Sequence, residues 1–327
     1  MTLHDILIND SGRLRSGWRL LIFVAAYVAA LFLIGSILRV IYAIVFNVSP
    51  TFSHGRYLEN VVYRLNLLVA APVSGYVCTR WLEGLPWRAL GLWFHRNWIR
   101  DLLIGSMLGI LSLGLATAIA TLAGGLRFTG PDRSSIIPIS QTLIFSAALF
   151  VVAALAEEAL FRGYPLQTFV RAQLAWLGVL LTSVPFAAAH LNNPNVVQPF
   201  ASINTALAGI LFAVAYLHTR SLWFPLGIHW SWNWALGSLF GLPVSGITEI
   251  APHPLLHGED LGPGWLTGGS YGIEGGLACT VTLIVVTLFI WRTRLISATE
   301  EMKILTSQEN PLPKVAAVTP NYSMEEG

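Results

Sequence analysis

The chain has 327 residues, 54% of them hydrophobic and only 11% charged, and a formal net charge of +2; it is too apolar for an ordinary soluble domain. Its positive mean hydropathy is concentrated in repeated apolar runs of about 18 residues or more, the mark of a multi-pass membrane protein. The small positive charge is dispersed over loops with no basic stripe, which excludes a nucleic-acid partner.

Residues 1–17 form a polar lead with Arg13 and Arg15, and no cleavable signal peptide is evident. The first apolar run, Trp18 to Phe46, carries Arg19 at its start, is interrupted beyond that only by Arg39, and reads as a retained signal anchor. The second, Leu58 to Leu82, contains Arg64, Asn66 and Pro72, a polarity expected of a helix that faces other helices and not lipid. A connection rich in Trp and Arg follows, from Arg80 to Arg100, as expected of a segment at the headgroup level. Span three, Leu102 to Leu122, is rich in the small residues that let helices pack closely. These elements make up an amino-terminal unit, residues 18–139, that ends in a polar turn region from Gly124.

Residues 140–241 stand apart by their chemistry. Span four begins near Ser140 and carries Glu157, Glu158 and Arg162 toward its far end, with an interfacial turn expected over Gly163 to Gln173 and Arg171 at the surface. Span five runs from Leu174 to His190 with Pro185 inside it, and Asn192, Asn193, Pro194 and Asn195 then break the helix. Span six runs from Phe200 to His218. Span seven, Leu222 to Phe240, holds His229 and Asn233. Residues 242–296 comprise a Gly/Pro-rich loop to Gly272 and a last span, Ile273 to Trp291. The tail, 297–327, has too little apolar surface to fold alone and is expected to be disordered.

The expected fold is therefore an all-α, polytopic transmembrane bundle of about eight spans. With an inside amino terminus, the inner side collects the arginines near residues 13–19, 80–100, 162–171, 220 and 292–294 and both lysines, and the outer side only Arg56, Arg127 and Arg133. That bias places both termini in the cytoplasm, and the Glu157 end of span four nearer to it. Cys78 and Cys279 lie in apolar runs and read as small buried hydrophobes.

Two adjacent carboxylates inside an apolar span demand an account, since a charge near the bilayer centre costs roughly 2.5–3.5 kcal/mol even on a lenient scale. Arg162 follows Glu158 by four residues and can pair with it on one helix face. Glu157 is turned about 100° away and has no local cation. Elimination narrows the chemistry further. Both lysines, Lys303 and Lys314, follow the last span, the aspartates fall in loops or at span ends, and no His-Glu-x-x-His or Gly-x-Ser-x-Gly motif occurs. What remains in the spans is Glu157 and Glu158 with His190, His229 and Asn233, a set able to position and deprotonate a water. Phe186 and His190 are four apart, as are His229 and Asn233, whose N–H groups could form an oxyanion hole. His218, near a span end, reads as a helix–helix partner. From the residues alone three readings stay open: an enzyme, a proton- or ion-coupled carrier, and a non-enzymatic membrane protein.

Glu157-Glu158-x-x-x-Arg162, Phe186-x-x-x-His190 and His229-x-x-x-Asn233, in this order and each on an expected span, resemble the three motifs of the CPBP intramembrane protease family. That family groups CAAX prenyl endopeptidases of the Ras-converting type with bacterial relatives, the Abi proteins, linked to bacteriocin processing or immunity. The resemblance covers roughly residues 140–241. It implies a glutamate-dependent endopeptidase with its site inside the bilayer and no metal or other cofactor, zinc being the less favoured alternative. By motif position, Glu157 and His190 would activate the water, and His229 and Asn233 would stabilise the oxyanion. Glu158 and Arg162 would support the site and Phe186 would line it. The implied partner is a membrane-associated or lipidated peptide or protein, and the implied location a bacterial inner (plasma) membrane. A non-catalytic immunity or scaffold protein of the same family is the competing expectation.

Overall fold

The computed structural model describes residues 3–46, 56–131, 136–196 and 198–307. Helices form at all eight expected positions. They are α1 (Ser16–Phe46), α2 (Arg56–Leu82), α3 (Trp98–Leu122) and α4 (Ile136–Glu158). After α4 the chain continues through a π-helical turn, Ala159–Gly163, into α5 (Tyr164–Arg171), and then come α6 (Ala175–Ala189) and α7 (Phe200–Thr219). Next is α8 (Trp223–Trp234), with its own π-helical extension Ala235–Leu239, and then α9 (Leu277–Arg292). The fold is an all-α bundle. A ribbon of two four-residue antiparallel strands, β1 (Leu126–Thr129) and β2 (His257–Asp260), ties the turn after α3 to the Gly/Pro-rich loop.

Among the described residues, four helical segments are long and apolar enough to cross a membrane by themselves: Ser16–Val45, Trp98–Leu122, Ile136–Arg171 and Phe200–Thr219. α6 and α9 are apolar but shorter. α8 has 12 residues, about 18 Å of helix, and packs among the longer ones. Large apolar side chains such as Phe32, Leu33, Ile44 and Leu122 stand on the bundle's outer surface, as lipid contact requires. The protein is an integral membrane protein.

Small residues set the helix crossings. A side-chain carbon at Gly105 or Gly109 would meet the backbone carbonyl of Phe224 or Ile228 at 2.3 and 2.4 Å, so α3 and α8 lie backbone to backbone. That contact fixes the helix that carries His229 and Asn233. In α2, Asn66 donates to Leu31 O of α1 at 2.9 Å, in keeping with a helix turned toward its neighbours.

Three expectations need correction. The stretch Gly163 to Gln173 is mostly helix and not an interfacial turn. Pro165 has no N–H to donate, and the wider π turn just before it absorbs the lost bond so that the helix runs on. The two carboxylates close α4, as expected, but the helical segment as a whole runs on to Arg171. Arg171 is buried and not at the surface, because Glu83, at the end of α2, pairs with it. The tail is not disordered throughout: Glu300–Ser307 forms α10, with Met302 and Thr306 buried against α5 and the turn Trp87–Leu90. Neighbouring helices supply the apolar surface that this segment lacks by itself. The rest of the expected tail disorder, with Pro311, Pro313 and Pro320, lies outside the described residues, as does Arg133. Cys78 and Cys279 are buried free thiols.

Candidate active site

Glu157 and Glu158 close α4 just before the π turn. Being consecutive on a helix, they face different surroundings. Glu158 is fully buried. Its Oε1 accepts from Arg162 Nη1 at 3.3 Å and from His229 Nδ1 at 2.8 Å. Arg162 Nη2 also donates to Gly209 O of α7 at 3.0 Å, and its guanidinium lies 4.5 Å from the centre of the Phe186 ring. The i,i+4 spacing gave the first of these contacts. The bond to His229 on α8 was not legible in the spacing, and it makes Glu158 more than the counter-ion of Arg162.

Glu157 is about one-third exposed and, among the described residues, has no arginine partner. Its Oε2 faces two imidazoles, His229 Nε2 at 3.7 Å and His190 Nε2 at 4.0 Å, and among the described residues it accepts no hydrogen bond. Both rings are oriented from their far side. His190 stands just past the last residue of α6, where the final carbonyls of a helix have no partner within it. Its Nδ1 lies 2.8 Å from Phe186 O, and because a carbonyl only accepts, the proton must be on Nδ1. In the neutral ring, this turns the Nε2 lone pair toward Glu157. His229 likewise commits Nδ1 to a carboxylate and turns Nε2 the same way.

An aromatic frame holds these rings. Phe212 stacks on His229 with ring centres 4.5 Å apart, and Phe186 lies 4.8 Å from the His190 ring. Phe161 meets Phe186 edge-on at 5.3 Å. Nothing in the sequence pattern singled out Phe161 or Phe212, which lie among many apolar residues of helical runs.

Glu157, His190, His229 and Asn233 line one cavity of about 510 Å³, walled by α2, α4, α6, α7, α8, α9 and the loop around Val244–Ile250. The structure thus brings these four residues and Phe186 to one place, with Glu158 and Arg162 directly behind. His218 does not line the cavity. A second carboxylate on the wall, Glu274, was not anticipated. It accepts from Trp232 Nε1 at 3.0 Å and from the backbone N and Oγ of Ser245 at 2.6 and 3.0 Å, pinning the loop to α8. Among the described residues, no group of three or more His, Cys, Asp or Glu side chains is arranged to hold a metal ion.

A family model described as type II CAAX prenyl endopeptidase, Rce1-like, matches residues 139–235, a span that contains all seven motif residues. A relative from Escherichia coli, described as an uncharacterized 24.3 kDa protein, is 30% identical over 202 residues, covering 58% of this chain and 80% of the relative. No solved structure matches the chain.

Proposed function

Because this chain belongs to the Rce1-like family of type II CAAX prenyl endopeptidases, we propose that it is an intramembrane endopeptidase in which Glu157 is the general base. The observation that carries this reading is the convergence of two imidazole Nε2 atoms on a carboxylate oxygen that accepts no hydrogen bond. A water held there donates one hydrogen to Glu157 and the other to the bare Nε2 of His190, which leaves an oxygen lone pair aimed at a scissile carbonyl. Glu157 takes the proton as the C–O bond forms, and returns it to the leaving amine as the C–N bond breaks.

The oxyanion falls to Asn233 and His229. Asn233 offers its Nδ2–H. With Nδ1–H given to Glu158, His229 offers a second donor from Nε2 only as the doubly protonated ring, whose charge Glu157 and Glu158 flank. On this reading Glu158 is a positioning residue, and Arg162 holds it in place.

The substrate is a membrane-associated or lipidated peptide, for which the aromatic and aliphatic walls of the cavity are suited. The location is a bacterial plasma membrane with both termini cytoplasmic. The reaction uses no metal. Purified protein in detergent, given a farnesylated peptide, is expected to cleave it in the presence of a chelator. Glu157→Gln and His190→Ala are expected to abolish cleavage. Equal cleavage by these variants overturns the reading, and loss of activity on chelation with stoichiometric zinc in the active preparation turns it into a zinc mechanism. Full complementation of a cellular phenotype by Glu157→Gln would instead point to a scaffold or immunity role.

A further inference from the structure

Arg64 is the only lysine or arginine among the residues that line the cavity, and neither the motifs nor the proposed mechanism uses it. It stands on α2 beside Tyr63 and one turn before Leu67, which line the same wall. Among the described residues it forms no hydrogen bond or ion pair. The two acids of the cavity are otherwise engaged. Glu157 has His190 and His229 within 4.0 Å, and the oxygens of Glu274 are taken by Trp232 and Ser245. A guanidinium within an apolar bundle is costly, and such a residue is ordinarily retained to meet an anion. Its planar fork matches a carboxylate, which it can hold with two parallel bonds.

We propose, building on the endopeptidase reading, that Arg64 is a specificity-determining residue that binds a carboxylate of the substrate within the cavity. Arg64 and Glu157 line the same cavity, so a peptide seated at Glu157 has Arg64 within the same enclosure. The substrate is accordingly a peptide cut close to an acidic group, supplied either by its own carboxyl terminus or by an Asp or Glu side chain.

The test uses farnesyl-cysteine peptides with three apolar residues after the cysteine, ending in a carboxylate or a carboxamide. For the wild type, amidation is expected to raise KM about 10–100-fold, the range of a charge-assisted hydrogen bond, with kcat little changed. Arg64→Gln should show the raised KM on the carboxylate peptide and no further rise on the amide, and Arg64→Lys, which keeps the charge but not the fork, should recover only part of the loss. An amidated peptide with Asp in the last position separates the two sources: if it restores KM, a side-chain carboxylate suffices, and if not, the group bound is the chain terminus. The same peptides titrated onto Glu157→Gln protein read binding without turnover, with and without Arg64→Gln. If Arg64→Gln prefers carboxylate over amide as strongly as wild type in both measurements, the assignment of Arg64 is overturned. If the wild type cleaves none of these peptides, the endopeptidase reading fails instead, and the binding ratio still decides the role of Arg64.

Discussion

Two clusters of charge are buried in this bundle, built from the same residue types and arranged to opposite ends. At the far end of α2 and α5, Glu83 is enclosed by Arg19 at 3.0 Å, by Arg171, and by the Thr168 hydroxyl at 2.7 Å, all with no exposed charged side chain. Around Glu157 the balance is reversed. Two carboxylates share one arginine, the remaining partners are imidazoles, and one carboxylate opens onto a cavity. A single anion locked by two cations is a fastener. An anion left over beside rings that can give or take a proton is a reagent. Burial alone does not separate these cases; the count of partners does.

The widest separation comes from matched substitutions. Glu157→Gln is expected to lower cleavage by about 10²–10⁴-fold, the usual contribution of a general base, while leaving the melting temperature in detergent near that of wild type. Glu83→Gln should do the reverse. It leaves Arg19 and Arg171 facing a neutral amide, and breaking a buried ion pair costs about 3–5 kcal/mol. Thermal unfolding in detergent checks the loss, and the folded fraction should cleave at the wild-type rate. If Glu83→Gln removes activity without loss of stability, the distinction between the two clusters is wrong.

Glu158 sharpens the comparison because it belongs to both kinds. It is fully buried against Arg162, as in the fastener, and it also holds His229 in register. Glu158→Gln should therefore move both readouts. It should destabilise the protein by somewhat less than Glu83→Gln, since Arg162 keeps the Gly209 carbonyl and the Phe186 ring as partners. It should also lower kcat more than it raises KM, because the oxyanion donor is mispositioned. A variant that loses stability alone would make Glu158 only the counter-ion of Arg162.

The eight helices were legible in the sequence because each buries its surface as a continuous apolar run, which survives any arrangement of neighbours. The three motifs were legible because four-residue spacing on a helix is a local geometry. What stayed hidden depends on partners distant in the chain. Arg171 reads as a surface cation until Glu83, almost ninety positions earlier, is folded against it. The Glu158–His229 bond joins residues 71 apart. The continuity of α4 into α5 was masked by Gly163 and Pro165, ordinary breakers that a π turn accommodates. α10 was missed because its buried face exists only beside α5.

The smallest expected effect lies at the ribbon. Arg127 Nε donates to Glu259 Oε2 at 3.1 Å across β1 and β2, and both side chains are more than half exposed. Water and salt screen this pair, and ordering two long side chains offsets much of its attraction, so such pairs contribute about 0–1 kcal/mol. Arg127→Ala should leave cleavage unchanged and shift the melting temperature by no more than a degree or so on the scale of surface substitutions, about 0.5 kcal/mol. The same arginine–glutamate chemistry would then span the range from negligible at the ribbon to several kcal/mol at Glu83, with enclosure and the number of partners as the variables. A loss at Arg127 as large as that at Glu83 would mean that exposure is no guide to charge energetics in this bundle, and the separation of fastener from reagent would lose its basis.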